Sequence, residues 1–328
     1  MKKNKLEKYS EEISRNLNNC LTVINSVSSP IYSGKVRECY ELDEKFALVT
    51  TDRQSAFDRV LASVPFKGQV LNMISAWWFE KTGHIMKNHL IEVPDPNISV
   101  VEKCAPFPVE FVVRGYITGS SNTSLWTNYA AGKRNYCGIN FPDGLVKNQK
   151  LENIVITPTT KAEIGDVPIS PEEIISQNLM NESQWEYCSR KAIELFSFGQ
   201  KVSQEKGYIL VDTKYEMGKS STGEIVLIDE VHSPDSSRFW EFSTYEERFA
   251  KGEEPENIDK EFLRLWFKKN CDPYNDRELP QAPSELIVEL SLRYIQVYEK
   301  MTGSSFDFPH SNREVGLRVS NALEILIT

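Results

Sequence analysis

From Tyr208 to Met217 the chain alternates apolar and charged residues, turns through Gly218 to Gly223, and returns through Glu224 to Glu230. Alternate side chains of a strand share a face. Leu210, Asp212, Lys214 and Glu216 are therefore expected on one side of this hairpin, and Ile209, Val211, Thr213 and Tyr215 on the other. With Asp229 and Glu230 ending the return strand, the pattern sets acidic residues around one lysine. Magnesium carried on nucleotide phosphates takes one or two carboxylates and keeps several waters. A lysine beside them neutralises a phosphoryl group in transfer. A solvated outer face with cross-strand ion pairs writes the same pattern.

Cations recur on turns elsewhere. Ser33-Gly34-Lys35-Val36-Arg37 is neither a Walker A loop nor a G-x-G-x-x-G turn, yet glycine followed by two cations can cover phosphates with backbone N–H groups and charge; a plain surface turn reads the same way. Arg114 follows the strand-like Val109 to Val113 and precedes Gly119, Ser120 and Ser121, and arginine recognises carboxylate or phosphate through two parallel hydrogen bonds. An exposed loop with an ion pair is the alternative there. Ser233 to Arg238 repeats the arrangement next to Asp229 and Glu230, and Thr157 to Lys161 adds hydroxyls and one more cation. The polar run Thr51-Asp52-Arg53-Gln54-Ser55-Ala56-Phe57-Asp58 follows a strand and reads as a site edge or as a capped helix start.

Holding these turns in place takes β-structure first. Ile31 to Glu41 and Lys45 to Thr51 read as strands around a turn at Leu42-Asp43-Glu44, and Gly68 to Thr82 as a helix with Val70, Met73, Ile74, Trp77 and Trp78 at helical spacing. Prolines at 94, 96, 106 and 108 predict a hinge and a domain boundary, giving units 1–108 and 109–328. Ser170-Pro171-Glu172-Glu173 is a helix start. Trp185, Cys188, Ala192, Leu195, Phe196 and Val202 form the buried stripe of the next helix. Two further helices are predicted at about 283–302 and 311–327.

Composition narrows the partners. With 38 Lys+Arg against 47 Asp+Glu, a net charge of -9 offers no general basic face for nucleic acid or anionic membrane, while small anions need only local cations. The start of the chain is charged without a following apolar segment, and no run approaches 18 apolar residues. The expectation is thus a cytoplasmic protein without membrane contact. The six cysteines contain no C-x-x-C pair and the four histidines no H-E-x-x-H spacing, which argues for reduced thiols and against a zinc hydrolase.

Taken in order, Gly34 to Tyr40, Thr51 to Asp58, Val112 to Ser120, Thr157 to Glu163, Val211 to Glu216 and Asp229 to Trp240 resemble the SAICAR synthetase family over roughly residues 30 to 305. The resemblance implies an α+β fold of two domains, a small antiparallel β domain covering the nucleotide and a larger mixed α/β domain with nucleotide binding similar to that of ATP-grasp enzymes and kinases. It implies ATP-dependent ligation of L-aspartate to the carboxylate of carboxyaminoimidazole ribotide in purine biosynthesis, with ATP and Mg2+ as cofactors and small-molecule substrates, not nucleic acid or membrane, as partners. Ser33, Gly34, Lys35, Val36 and Arg37 would cover the ATP phosphates, with Lys214 beside them. Glu216 and Asp229 would bind the metal. Asp52, Ser55, Asp58, Arg114, Ser120, Lys161, Asp212 and Arg238 would hold substrate, Lys161 being the choice for aspartate. Lys214, Asp212 and Arg238 would carry catalysis. A kinase is the rival enzyme, disfavoured by the missing H-R-D and D-F-G pairs. A non-catalytic relative would have lost Lys214, Glu216 or Asp229, and all three stand in the chain.

Overall fold

The computed structural model describes residues 2–26, 28–57, 59–161, 167–258, 260–309 and 314–327. Its first sheet runs Tyr32–Ser33, Arg37–Leu42, Lys45–Thr50, Ile98–Glu102, Leu90–Asp95 in spatial order, antiparallel throughout. Asp43 closes the expected hairpin at φ 43°, the left-handed conformation that two-residue turns demand. Alternation then gives the sheet two different faces. Tyr40, Ala47, Val49 and Ile98 are buried together with Leu21 against Val319 and Leu323 of the late helix Val315–Ile327. Cys39, Phe46, Leu48 and Val101 face the opposite way, over a cleft. The first residues of the helix predicted at 311–327 lie outside the described residues.

The proline-rich interval is mostly strand. Pro94 lies inside Leu90–Asp95, while Pro106 and Pro108 open the long strand Ala105–Ile117. Pro106 sits opposite Gly218, where a Cβ would come within 2.8 Å of the Ala105 carbonyl oxygen, so glycine is what lets the chains approach here. Only Lys103 and Cys104 separate the two sheets.

Ala105–Ile117 and Tyr208–Lys219 form the centre of the second sheet, antiparallel, with Arg114 opposite Asp212, Val112 opposite Lys214, and Glu110 opposite Glu216. Gln149–Ile156 and Thr159–Thr160 flank the first of them, Ile225–Ile228 and Ser237–Glu241 the second. The back of this sheet (Val109, Phe111, Val113, Tyr215, Met217) packs on Cys188, Ala192, Leu195 and Phe196 of the helix Glu182–Glu205. That helix begins with a capping box at Asn181, and the shorter Pro171–Ser176 with one at Ser170 and Glu173, each satisfying otherwise orphaned N–H groups.

Strict alternation fails at one point. Leu210 pairs with Phe239 and Asp212 with Arg238, so two residues of one strand span a single step of the other. This bulge at Val211 reverses the alternation. Leu210 turns into the back core with Tyr215 and Met217, whereas Ile209 and Val211 join Tyr116, Trp240 and Tyr245. Leu210 therefore does not share the face of Asp212, Lys214 and Glu216.

The run Thr51 to Asp58 is not a helix start. Arg53–Ala56 pairs with Arg59–Ser63 as a small hairpin, and Asp58 lies outside the described residues. Helices Lys2–Arg15, Phe242–Ala250 and Glu261–Asn270 were not anticipated. Beside the predicted Lys67–Thr82 and Ser284–Thr302, the first and third of these build a separate core from Ile13, Val70, Leu71, Leu263, Phe267, Leu290 and Tyr294. Among the described residues no helix is long and apolar enough to cross a membrane, and all six cysteines are unpaired.

Asp52 joins these parts. Its carboxylate oxygens accept the N–H of Gly68 at 2.8 Å and of Leu21 at 2.7 Å, tying the start of the helix Lys67–Thr82 to the N-terminal segment. Burial pushes this carboxyl up to about 6, against the pull of both N–H donors. From about pH 4 to 6 the folded protein thus keeps a proton that the unfolded chain has released, so stability falls as pH rises. A shift of that size is worth about 3 kcal/mol. The stability difference between the wild type and Asp52→Asn, read from urea midpoints, is expected to shift against the wild type by about that amount between pH 4 and 7. A gap that does not move with pH counts against the assignment.

Candidate active site

Two clefts open on the front of the second sheet and share a wall. The first, of about 550 Å3, lies beneath the small sheet. Cys39, Leu48, Phe46 and Val101 make an apolar ceiling. Gly34 to Arg37, Lys161, Lys214, Glu216 and Asp229 make a charged end. The second, of about 220 Å3, is lined by Glu110, Arg114, Asp212, Ser236, Ser237 and Arg238, with Lys260, Glu261 and Arg264 opposite. Lys214 lines both.

The strand register explains the shared wall. Glu110 and Glu216 are cross-strand neighbours, an arrangement that would be repulsive alone. Lys214 resolves it, reaching Glu110 Oε1 at 2.8 Å and Glu216 Oε1 at 2.7 Å. Thr159 Oγ1 donates to the other Glu110 oxygen at 3.1 Å, and Lys161 closes on Glu216 Oε2. Burial works against the Lys214 ammonium, but Glu216, Glu110 and Asp229 outweigh it and hold its pKa well above the usual lysine range.

Beyond the return strand the chain makes a strained turn. Asp229 and His232 have φ of 68° and 46°, left-handed conformations that cost a non-glycine residue about 1–3 kcal/mol and persist only where surroundings enforce them. For His232 they do. Its ring is fully buried, meets the Tyr215 hydroxyl at 2.5 Å through Nε2, and stands edge-on to Trp78. It lies so close to Gly199 that a Cβ there would fall 2.3 Å from its Cε1. Burial lowers its pKa to about 3, leaving a neutral structural ring. So anchored, the turn presents Asp229 to Arg37, which bonds it and lies 3.6 Å from Glu230. Burial alone would raise the Asp229 carboxyl, but Arg37, Lys214 and Lys161 bring it down to about 2.

In the second cleft each carboxylate is bracketed by cations. Asp212 Oδ2 receives Arg114 at 3.2 Å and Arg238 at 2.5 Å, and Arg114 also donates to Thr157 Oγ1 at 2.8 Å. Glu261 receives Arg264 at 3.3 Å and the Ser120 hydroxyl at 2.5 Å, with Arg238 at 3.9 Å. Asp235 receives Lys67 at 2.9 Å and the Tyr294 hydroxyl at 3.1 Å, with Lys260 at 4.0 Å. Lys260 stands half-buried among them, and the loss of solvent lowers its pKa.

The sequence-predicted residues divide accordingly. Gly34, Lys35, Val36, Arg37, Lys161, Lys214, Glu216 and Asp229 line the first cleft, and Arg114, Asp212, Lys214 and Arg238 the second. Lys161, expected to hold substrate, lines the first cleft and meets Glu216. Ser120 touches the second cleft through Glu261, while Ser33, Asp52 and Ser55 line neither. Sequence reasoning missed Glu110, Asp235, Lys260, Glu261 and Arg264. Glu110 carried a signal, a charge two and four residues before Val112 and Arg114 and hence on their face. Asp235 stood within the polar turn Ser233 to Arg238 without being singled out, and Lys260, Glu261 and Arg264 come from a distant segment without a local pattern.

Glu216 and Asp229 offer carboxylate oxygens at the charged end of the first cleft, the donor type a hard divalent cation prefers. Among the described residues no three metal-ligating side chains converge, as suits an ion held largely by phosphates and water. The arrangement suits two anionic reactants meeting across one lysine.

The chain is similar to known proteins in sequence and in fold. The sequence profile described as SAICAR synthetase matches residues 30–281. A phosphoribosylaminoimidazole-succinocarboxamide synthase of Legionella pneumophila (strain Lens) is 59% identical over 305 residues, 93% of this chain and 98% of that one. A chloroplastic synthase of the same name from Arabidopsis thaliana is 55% identical over 313 residues, 94% of this chain and 76% of its own. Among solved structures, the SAICAR synthase of Saccharomyces cerevisiae complexed with SAICAR superposes with a TM-score of 0.76 at 32% identity, covering 88% of this chain and all of that one. A type-2 SAICAR synthetase in complex with ADP gives 0.65 at 25% identity, covering 84% and 99%.

Proposed function

The chain belongs to the SAICAR synthetase family, and from that premise we propose which of its residues perform the family's reaction. The protein is an ATP-dependent ligase of purine biosynthesis that joins L-aspartate to the carboxylate of carboxyaminoimidazole ribotide, forming SAICAR, ADP and phosphate.

The nucleotide takes the first cleft, its base against Cys39, Leu48 and Val101 and its phosphates against Gly34 to Arg37 and Lys214. Glu216 and Asp229 hold Mg2+, which supplies charge neutralisation on the phosphates. The ribotide takes the second cleft, its phosphate and carboxylate meeting Arg114, Arg238, Lys260 and Arg264. We take residues 1–108 as the nucleotide-covering unit and 109–328 as the unit carrying the substrate sites, with the helix Val315–Ile327 packed back on the first. Aspartate approaches from the Lys161 side, and the reaction belongs to the cytoplasm.

A carboxylate is a poor electrophile. A ribotide carboxylate oxygen attacks the γ-phosphorus as the bond to ADP breaks, giving an acyl phosphate. The aspartate amine then attacks the acyl carbon, loses a proton, and phosphate departs with the oxygen that had bridged carbon and phosphorus. Lys214 stands at the transfer point and the arginines fix the carboxylate, so positioning and charge supply most of the rate. The observation carrying this reading is that one lysine faces both clefts. Ribotide labelled with 18O in its carboxylate is expected to deliver one label into the released phosphate. Phosphate free of label removes the acyl-phosphate scheme.

A further inference from the structure

The segment Asp229 to Arg238 touches both clefts, Asp229 and Glu230 at one end and Asp235 to Arg238 at the other. Between them lies Ser233, fully buried. Its hydroxyl donates to Glu230 Oε2 at 2.6 Å and accepts the N–H groups of Asp235 at 3.2 Å and Ser236 at 3.1 Å. One donor and two lone pairs are all a serine hydroxyl has, so every one is committed within this turn. The Ser233 carbonyl accepts the Ser237 N–H at 2.9 Å, and the Ser236 carbonyl accepts the N–H of Lys214 at 3.1 Å. The turn is thereby fastened to the strand that carries the shared lysine. On the nucleotide side Glu230 is also faced by Arg37, 3.6 Å away, whose principal partner is Asp229.

We propose that Ser233 is a positioning residue coupling the two clefts, so that nucleotide in the first tightens ribotide in the second. The inference rests on the assignment of the two clefts made above. Nucleotide phosphates draw Arg37 off Asp229 and Glu230. Glu230, buried and deprived of that cation, leans harder on the Ser233 O–H. Polarising that O–H makes the same oxygen a better acceptor for the Asp235 and Ser236 N–H groups. The turn stiffens, and Ser236, Ser237 and Arg238 are held where they meet the ribotide. By linkage the ribotide tightens nucleotide by the same factor.

The test is calorimetric titration of ribotide into the full chain with and without saturating ADP. In the wild type ADP is expected to lower the ribotide Kd at least about fivefold, the lower end of ordinary site-to-site coupling. In Ser233→Ala the factor is expected to fall within twofold of one while each ligand alone still binds, and Ser233→Thr, which keeps the hydroxyl, restores it. If the alanine variant does not fold, Glu230→Gln is expected to show the same loss of coupling, because it removes the charge that Arg37 and Ser233 share. Absence of coupling in the wild type, or coupling undiminished in both Ser233→Ala and Glu230→Gln, overturns the proposal. Failure of the wild type to bind either ligand strikes the assignment of the clefts instead, so the two failures are distinct.

Discussion

Glu216→Gln is expected to lower kcat by roughly 10^2–10^3-fold, the effect of deleting one well-placed electrostatic group from a preorganised site, in a protein that stays folded. The amide keeps the volume and one acceptor for Lys214, which retains Glu110 at 2.8 Å. What disappears is the negative charge on which Lys161 and Lys214 converge, the charge assigned to Mg2+. Two measurements separate that role from general damage. The urea midpoint of the variant should lie near that of the wild type, and the Mg2+ concentration needed for half-maximal tightening of ADP should rise at least tenfold. Activity within threefold of the wild type would sink the assignment of Glu216.

The largest effect on stability is expected at Lys67, far from any motif. Its side chain is wholly buried and its ammonium lies 2.9 Å from Asp235, itself 5% exposed. Taking one partner from a buried pair leaves an uncompensated charge and typically costs 3–5 kcal/mol. Lys260 stands 4.0 Å from the same carboxylate and shares the load, so Lys67→Met is expected to cost about 3 kcal/mol in denaturant unfolding. Replacing both members of a buried pair by neutral groups is far gentler. The double variant Lys67→Met with Asp235→Asn should therefore recover at least half of that loss. A single variant within 1 kcal/mol of the wild type would show that Asp235 does not depend on Lys67.

What was legible in the sequence and what was not follows from range. The face shared by Asp212, Lys214 and Glu216 follows from a period of two within one strand, the helix start at Ser170 from local capping chemistry, and the helix through Trp185 from its apolar stripe. The bulge at Val211 was invisible, because a bulge is a property of the pair of strands, here the mismatch of Leu210 and Asp212 with Phe239 and Arg238. Lys67 and Asp235 are separated by 168 residues, and neither carries a mark of its partner. Lys260 directly precedes, and Glu261 and Arg264 belong to, a helix whose alternation with aromatic residues looks like any amphipathic surface helix. Arg114 and Arg238 were recognisable because each stands near small hydroxylated residues in the sequence, although both lie inside strands, Ala105–Ile117 and Ser237–Glu241. That they share the Asp212 carboxylate is knowledge only the register supplies.

The order of synthesis gives the packing of Val315–Ile327 a further meaning. Tyr40, Ala47 and Val49 leave the ribosome well before the helix Val315–Ile327 that shields them. Until it arrives, the first sheet presents bare apolar surface, the kind that invites aggregation in a growing chain. The first sheet therefore completes its packing only after Val315–Ile327 has been made, although its strands are encoded well before that helix.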